Sequence, residues 1–565
     1  MEKIMTEVTI HPGLILIFGA MVLPLLRGAL RSTAVVALPV LVLFFVWQIP
    51  DGPAWQTQFL DYTLTPLQGD KLSRLFSTIF ALMAAGGGLF ALSQKSRIEV
   101  PAAFVYAGSA IGVALAGDLI TVFAFWELMA IGSTLVLWSQ GSGASYRAAQ
   151  RYLMIHLLGG VILFAGVTGH IVQTGDVAFT RMALDSPANW LILIGFLINA
   201  GAPPLSAWLS DAYPEASWSG TVFLSAFTTK TAIYVLIRGF PGTELLIWLG
   251  LFMVFYGIIY ALLENDIRRV LAYSIINQSG FMLVGIGIGT EMALNGAAAQ
   301  AFTGLIYMAL LLMSAGSVML MTGRRKLTEL GGLFHTMPLT AICGLIGALA
   351  ISAFPFTSGF VSKSMISQAA IDNHLLTIWL LLMAGSAGVV LHAGLKFPWF
   401  VFFQKDSGLR PAEPPASMRW AMILFSFLCI ALGIWPEPLY ALLPFEVKYQ
   451  PYTANHVLTQ LQLLLFAGLA FFVMLPFLKR TLSITLDVDW LWRKMLPALI
   501  KGIEVPTSKV TTSMEQGSRR LGSNLLATVI RYCGPDGPMA RTWPTRSMAL
   551  WVLVLLLGYL ILYYV

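Results

Sequence analysis

Six ionisable side chains stand inside stretches that are otherwise apolar. Glu127 lies in Phe123-Ala-Phe-Trp-Glu-Leu-Met129, Lys230 in Phe227-Thr-Thr-Lys-Thr231, Lys363 in Gly359-Phe-Val-Ser-Lys363 and Lys396 in Leu391-His-Ala-Gly-Leu-Lys396, while His156 and His392 sit one to a stretch. In a membrane span such a group costs about 2.5–3.5 kcal/mol, so its presence asks for a reason. One reason is a proton relay. Burial disfavours the charged form of lysine and of glutamate alike, and a nearby opposite charge restores it, so moving a proton between pairs switches neighbouring sites. The bland alternative is a static salt bridge that orients helices, or lysines that snorkel to the surface. For the histidines it is hydrogen-bonded helix packing. Asp211 and Glu215, in Trp208-Leu-Ser-Asp-Ala-Tyr-Pro-Glu215, could collect protons at a channel mouth. They could equally be solvated loop charges or cap a helix starting near Ser219.

The elements that carry these groups follow from composition. Of 565 residues, 57% are apolar and 11% charged, and the mean hydropathy is +0.78. Soluble domains carry roughly 25% charged residues, and disordered chains are far less apolar. The chain is expected to be an all-α polytopic membrane protein. A spanning helix needs about 20 mainly apolar residues. Candidate spans lie at 12–29, 32–49, 72–92, 100–117, 119–139, 149–171, 189–208, 219–239, 245–263, 268–288, 293–322, 339–370, 375–403, 418–442, 456–478 and 547–565. Two are expected to be broken, at Gly201-Ala-Pro-Pro204 and at Phe354-Pro-Phe356 followed by Gly359. Proline removes a backbone donor and clashes with the preceding turn, and in lipid such breaks survive only against protein or a wet cavity. Paired interruptions point to a repeated transporter core. The breaks are five spans apart, an odd number, so the second copy would be inverted.

With the N-terminus outside, the inner loops hold fourteen basic residues and the outer segments six. This bias sets the expected orientation and accounts for a net charge of +7 without nucleic acid. Residues 1–11 lack the basic start of a signal peptide, so no cleavage is expected. Cys343, Cys429 and Cys533 are far apart, the seven histidines have no metal-ligand spacing, and neither a GxGxxG after a strand nor a GxxxxGK[ST] is present. No metal or cofactor is expected. Residues 480–546 hold ten Lys/Arg against five Asp/Glu. Within them Val510, Met514, Leu521, Leu525 and Val529 recur at helical spacing, with Arg519 and Arg520 off that stripe. This predicts an amphipathic helix on the inner surface.

Six ordered segments carry a resemblance: Phe125-Trp-Glu-Leu128, Pro203-Pro-Leu-Ser-Ala-Trp-Leu-Ser-Asp-Ala-Tyr-Pro-Glu215, Phe227-Thr-Thr-Lys-Thr-Ala-Ile-Tyr234, Asn265-Asp-Ile-Arg-Arg-Val-Leu-Ala-Tyr-Ser274, Ser314-Ala-Gly-Ser317 and Phe356-Thr-Ser-Gly-Phe-Val-Ser-Lys363. Over roughly residues 70–440 the chain resembles the antiporter-like subunits of respiratory complex I and of Mrp-type cation/proton antiporters. Within that family it is most similar to the D-type subunit, with its membrane-bound hydrogenase relatives. The resemblance implies about fourteen core helices with two inverted five-helix repeats, each with a broken helix, and proton or sodium movement along buried charges. It assigns Glu127, Lys230 and Lys363 to that line; Lys396, His392 and His156 are candidates by their place inside apolar stretches, not by the resemblance. Positions where the family carries an ionisable residue are here Asn199, Gly304 and Met308. Lys396 would stand in for a lost charge and, with His392, form the inner exit of the second half.

The implied organisation is N-terminal helices over 1–99, a first repeat over 100–240, an inverted second repeat over 241–404 and further core helices over 405–479. A cytoplasmic-surface segment follows over 480–546, and a last helix over 547–565. The implied function is a proton, and in some members sodium, translocating subunit of a multi-subunit bacterial inner-membrane complex. Its partners would be other subunits, lipid, H+ and Na+, and any redox chemistry would lie in those other subunits. The rivals are a scaffold whose channel has lapsed, favoured by Asn199, Gly304 and Met308, and a polytopic membrane transferase, disfavoured by short outer loops.

Overall fold

The computed structural model describes residues 10–476 and 545–564, with 487, 490–495, 498, 523, 527 and 531 between them. The amphipathic helix expected around Arg519 and Arg520 lies outside the described residues. The chain divides into two units, Met1–Asp489 and Trp490–Val565. In the second, the described residues form a π-helical turn at Leu491–Met495 and a helix at Thr545–Tyr564, the expected last span.

In the first unit, each expected span coincides with a helix or a broken pair. In chain order these are α1 (Pro12–Val22), α2 (Gly28–Gln48), α3 (Lys71–Phe90), α4 (Glu99–Leu115), α5 (Leu119–Trp138), α6 (Gly143–Thr174), α7 (Pro187–Ala200), α8 (Trp208–Ala212), α9 (Gly220–Ala226), α10 (Thr228–Gly239), α11 (Leu245–Leu263), α12 (Ile267–Ile288), α13 (Glu291–Thr322), α14 (Pro338–Ile351), α15 (Ser358–Asp372), α16 (Leu376–Val389), α17 (Ala416–Ile434), α18 (Glu437–Ala441) and α19 (Ala454–Met474). Among the described residues eleven helices are long and apolar enough to cross a membrane, and five shorter apolar ones accompany them. The protein is a helical membrane protein.

Side-chain caps fix where these helices start. Asp70 and Ser73 form a reciprocal capping box on α3, Asp118 caps α5, and Asp266 caps α12 by accepting from the Arg268 and Arg269 amides. Each cap satisfies backbone donors that have no partner within the helix. The burial pattern places the centre of the unit. The apolar window of Gly220–Gly239 is 100% buried and that of Ile267–Ile288 94%, against 11% for Ala454–Met474. The helix bearing Lys230 therefore lies inside the bundle, and α19 lies on its flank.

The two expected breaks are present. α7 ends at Gly201, which takes a left-handed φ of 80° that glycine adopts without strain, and the chain restarts at α8 after Pro203-Pro204. α14 ends at Ile351, and Ala353 and Phe356 both have positive φ before α15 begins. Two distortions were not expected. The span at 219–239 is divided at Phe227 into α9 and α10. The span at 375–403 passes from α16 into π-helical turns at Val390–Lys396 and Trp399–Phe403.

The stretch between the second and third spans forms an antiparallel hairpin of β1 (Gly52–Phe59) and β2 (Tyr62–Gly69). Thr65 on β2 accepts the Gly117 amide at 2.9 Å and gives its own amide to Asp118. The same end of the bundle, called the hairpin face below, gathers the Leu119–Val177, Met182–Gly239 and Gly242–Ile286 backbone contacts and the Asn295–Phe445 pair. The opposite face gathers the Ile267–Arg325, Leu327–Asn265 and Ser407–Gly331 contacts.

Candidate functional site

Lys230 occupies the first turn of α10 and is 1% exposed. The break just before it has an identifiable cause. The Tyr106 hydroxyl, from α4, accepts the Thr228 amide at 2.9 Å and stands 3.3 Å from the Leu224 carbonyl. That carbonyl is the group the Thr228 amide would bond in an unbroken helix, so the phenol is wedged into one rung of the ladder. The Thr228 hydroxyl closes the arrangement at 2.5 Å from Tyr106 and 3.4 Å from Tyr152. Tyr152 donates to Ser133, and the His156 ring stacks on it at 3.9 Å. His156 also meets Trp208 edge-on at 4.7 Å. The Trp208 indole N–H in turn donates to the Ile198 carbonyl, tying α8 back to the end of α7. Asn199 is buried, and its side-chain oxygen has no partner among the described residues.

Lys363, on α15, has the corresponding relation to the second break. Its ammonium donates to the Ile351 carbonyl, the last residue of α14, at 3.1 Å and lies 4.6 Å from the centre of the Phe281 ring. The carbonyl end of a helix carries partial negative charge, which favours a cation there. His392 lies within electrostatic reach of both Lys363 and Lys396. Beside Lys363 runs a buried chain of neutral groups. Ser362 donates to Gln300, Gln300 donates to Gln278 and Tyr307, and Tyr307 donates to Gln278. Gly304 and Met308 are buried next to Tyr307 on α13, so this chain passes where the resemblance expects an ionisable group. Lys396 is placed differently. Its ammonium binds the carbonyls of Ala261, Leu262 and Glu264 at 3.0, 2.6 and 2.6 Å, closing the C-terminal end of α11.

Glu127 is separate from these groups. It is half-buried on the outer flank formed by α5 and α6, where Ile131 and Val161 are exposed. Its Oε1 has no partner among the described residues, and it lies so close to Gly160 that a Cβ there would meet it. No hydrogen bond or ion pair among the described residues joins Glu127 to Lys230. The two residues that the resemblance puts on one line are therefore not joined directly: Lys230 contacts the Thr229 hydroxyl at 3.3 Å instead. Asp211 is buried and held in a two-pronged pair with Arg151 at 2.6 and 2.8 Å. Glu215 pairs with Arg325, which also binds Asp266. Neither acid caps the helix after Ser219. Asp266 stands just outside its helix, and burial raises its carboxyl above the usual range despite Arg325.

The structure thus sets Lys363 at the second break and Lys396 at the end of α11, with His392 within electrostatic reach of both. It sets Lys230 just after the Phe227 interruption and His156 against Trp208 beyond the first break, and leaves Glu127 at the edge. Tyr106, Thr228, Gln278, Gln300 and Tyr307 escape the sequence reading because none carries a charge at neutral pH. Uncharged polar residues inside apolar spans are the signal that finds them. Among the described residues no group of three His, Cys, Asp or Glu side chains is placed to hold a metal ion.

Residues 116–389 match the family described as NADH:quinone oxidoreductase/Mrp antiporter, transmembrane. A probable A/B-type K+/H+ antiporter component of Rhizobium meliloti is 31% identical over 405 residues, 66% of this chain and 40% of that protein. The chain thus spans less than half the length of that relative. A D-type Na+/H+ antiporter component of Alkalihalophilus pseudofirmus is 27% identical over 65% of this chain and 80% of its own length. The solved Mrp complex from Dietzia sp. DQ12-45-1b contains a chain of the same fold, with a TM-score of 0.77 and 22% identity over 92% of this chain and 62% of that one. Both breaks, Lys230 and Lys363 lie inside the segment, residues 116–389, that matches the NADH:quinone oxidoreductase/Mrp antiporter family model.

Proposed function

We propose that the chain is a proton- and cation-translocating subunit of a multi-subunit complex in the bacterial inner membrane, with the hairpin face outside. The observation that carries this reading is the pair of buried lysines, Lys230 and Lys363, each set beside a helix break and neither salt-bridged among the described residues. A buried cation without a counter-ion is costly, and a break gives it something to act on. A protonated Lys363 holds the carbonyl end of α14, and a neutral one releases it, so proton occupancy and the geometry of the break are linked. The Gln278–Gln300–Tyr307–Ser362 chain offers donors and acceptors along which waters can be ordered. Glu127, on an exposed flank with an oxygen unpartnered among the described residues, takes its counter-charge from a neighbouring subunit in this reading. Sodium or potassium is the cation exchanged, by analogy with the named activities of the relatives.

The test is ion exchange in vesicles carrying the assembled complex. Lys230→Gln and Lys363→Gln are each expected to abolish exchange while the complex assembles. Unimpaired exchange in either variant removes that lysine from the path. A second reading, a lapsed channel retained as scaffold, draws on Asn199, Gly304 and Met308. It predicts no exchange in the unaltered complex.

A further inference from the structure

A cavity of about 90 Å³ opens beside Lys363 and is also lined by Ser364, Ser367 and Gln460. A water needs about 10–15 Å³ of such space, so there is room for several. On the hairpin face a second cavity of about 800 Å³ is lined by Glu291, Asp372, Glu446 and Lys448. The two cavities share two lining residues, Gln368 and His456. These two side chains touch: His456 Nε2 lies 2.9 Å from Gln368 Oε1.

The surrounding bonds fix the polarity of that contact. Gln368 gives its amide to Asp372 at 2.7 Å, so its oxygen is the atom turned to the histidine, and His456 Nε2 must donate. Its other nitrogen then accepts from the Tyr449 hydroxyl at 3.4 Å, as a neutral imidazole requires. His456 sits in the first turn of α19, where the Thr453 hydroxyl accepts its amide. One turn further along α19, Gln460 donates to the Ser352 carbonyl at 3.1 Å, right at the second break. The helix that carries the contact is therefore tied to the element that Lys363 caps, and it lies beyond residues 116–389 of the family segment.

We propose that ions reach Lys363 from the hairpin face through the His456–Gln368 contact, and that His456 is the positioning residue that keeps this passage closed. The proposal rests on the translocation reading for its purpose. Its geometry is tested by access alone.

The experiment uses the full chain in its complex, with Cys343, Cys429 and Cys533 replaced by serine and Ser364→Cys added behind the contact. A membrane-impermeant thiol reagent is applied to the hairpin face. Slow labelling is expected, becoming about tenfold faster with His456→Ala, the ratio set by losing roughly one hydrogen bond from the closed state. His456→Gln, which can still donate to Gln368, should stay near the parent rate. Labelling of the denatured chain reports that the thiol is present. Equal rates in all three backgrounds, or no labelling from the hairpin face in any, would overturn the passage. If Ser364→Cys does not assemble, Ser367→Cys, also in the small cavity, takes its place. Absent exchange in the unaltered complex would end the translocation reading without changing the labelling rates, so the two failures are distinguishable.

Discussion

Lys363 and Lys396 each place an ammonium on helix carbonyls, but they differ in how much they hold. Lys363 has one carbonyl partner beside a cavity, whereas Lys396 has three at the end of α11. Three charge-assisted bonds make Lys396 the better anchor and the poorer proton carrier. Lys396→Gln should therefore lower the stability of the complex by about 1.5–3 kcal/mol, the range for losing bonds to a charged group. Any loss of exchange should follow that loss of stability. Thermal unfolding in parallel with exchange checks this. Stable protein with no exchange would return Lys396 to the path, as the inner exit it was expected to form with His392. The candidate lysines were legible because each stands inside an apolar run. Their partners were not, since the Glu264 carbonyl lies 132 positions from Lys396 and a backbone acceptor leaves no mark on composition.

At the scale of the element, the interruption at Phe227 is imposed from another helix. Tyr106 supplies the acceptor for the Thr228 amide from 122 positions away. Tyr106→Phe keeps the ring and removes the hydroxyl, so the Thr228 amide should return to the Leu224 carbonyl and the rung should close. Slower amide hydrogen exchange over residues 224–230 is the expected signature, together with a several-fold loss of ion exchange as Lys230 shifts. Unchanged protection would show that α9 and α10 are divided by their own sequence. The breaks at Gly201 and Pro355 were legible because glycine and proline write their effect into the chain locally. The Phe227 break was not, because its cause is tertiary. The hairpin was missed for a different reason: a window long enough to find spans averages over eight-residue strands. That hairpin is fastened through Asp70, which pairs with Arg238 at 2.5 Å. Burial alone would raise the Asp70 carboxyl, but Arg238 and the Ser73 amide hold it below its usual range. Its contribution is thus full above the ordinary carboxylate range and lost as pH falls through its lowered value. Asp70→Asn should remove that acid-side loss of stability. A complex whose acid unfolding is unchanged by Asp70→Asn would place the fastening elsewhere.

For the whole molecule, the question is what the residues after α19 do for the core. Sequence reading places 480–546 on the inner surface against a partner, and predicts that removing 480–565 weakens assembly more than it alters the core. The described part of that segment gives the idea a point of attachment. Asp487, 4% exposed, accepts from the hydroxyls of Tyr256 and Tyr273 at 2.5 Å each and lies 3.5 Å from the Ser210 hydroxyl. Tyr256 is on α11, Tyr273 on α12 and Ser210 on α8, so one carboxylate from the tail meets three core elements, one of them just past the first break. Deleting the tail strips two buried phenols of that acceptor, each costing about 1–3 kcal/mol where no water replaces it. Asp487→Ala should then reproduce much of the stability loss of the 480–565 deletion while leaving assembly with other subunits less affected. The comparison is made by thermal unfolding and by co-purification of the complex for both variants. If Asp487→Ala is as stable as the parent, the tail is held by its other residues. If it loses assembly as fully as the deletion does, the anchor and the partner surface are one feature and not two.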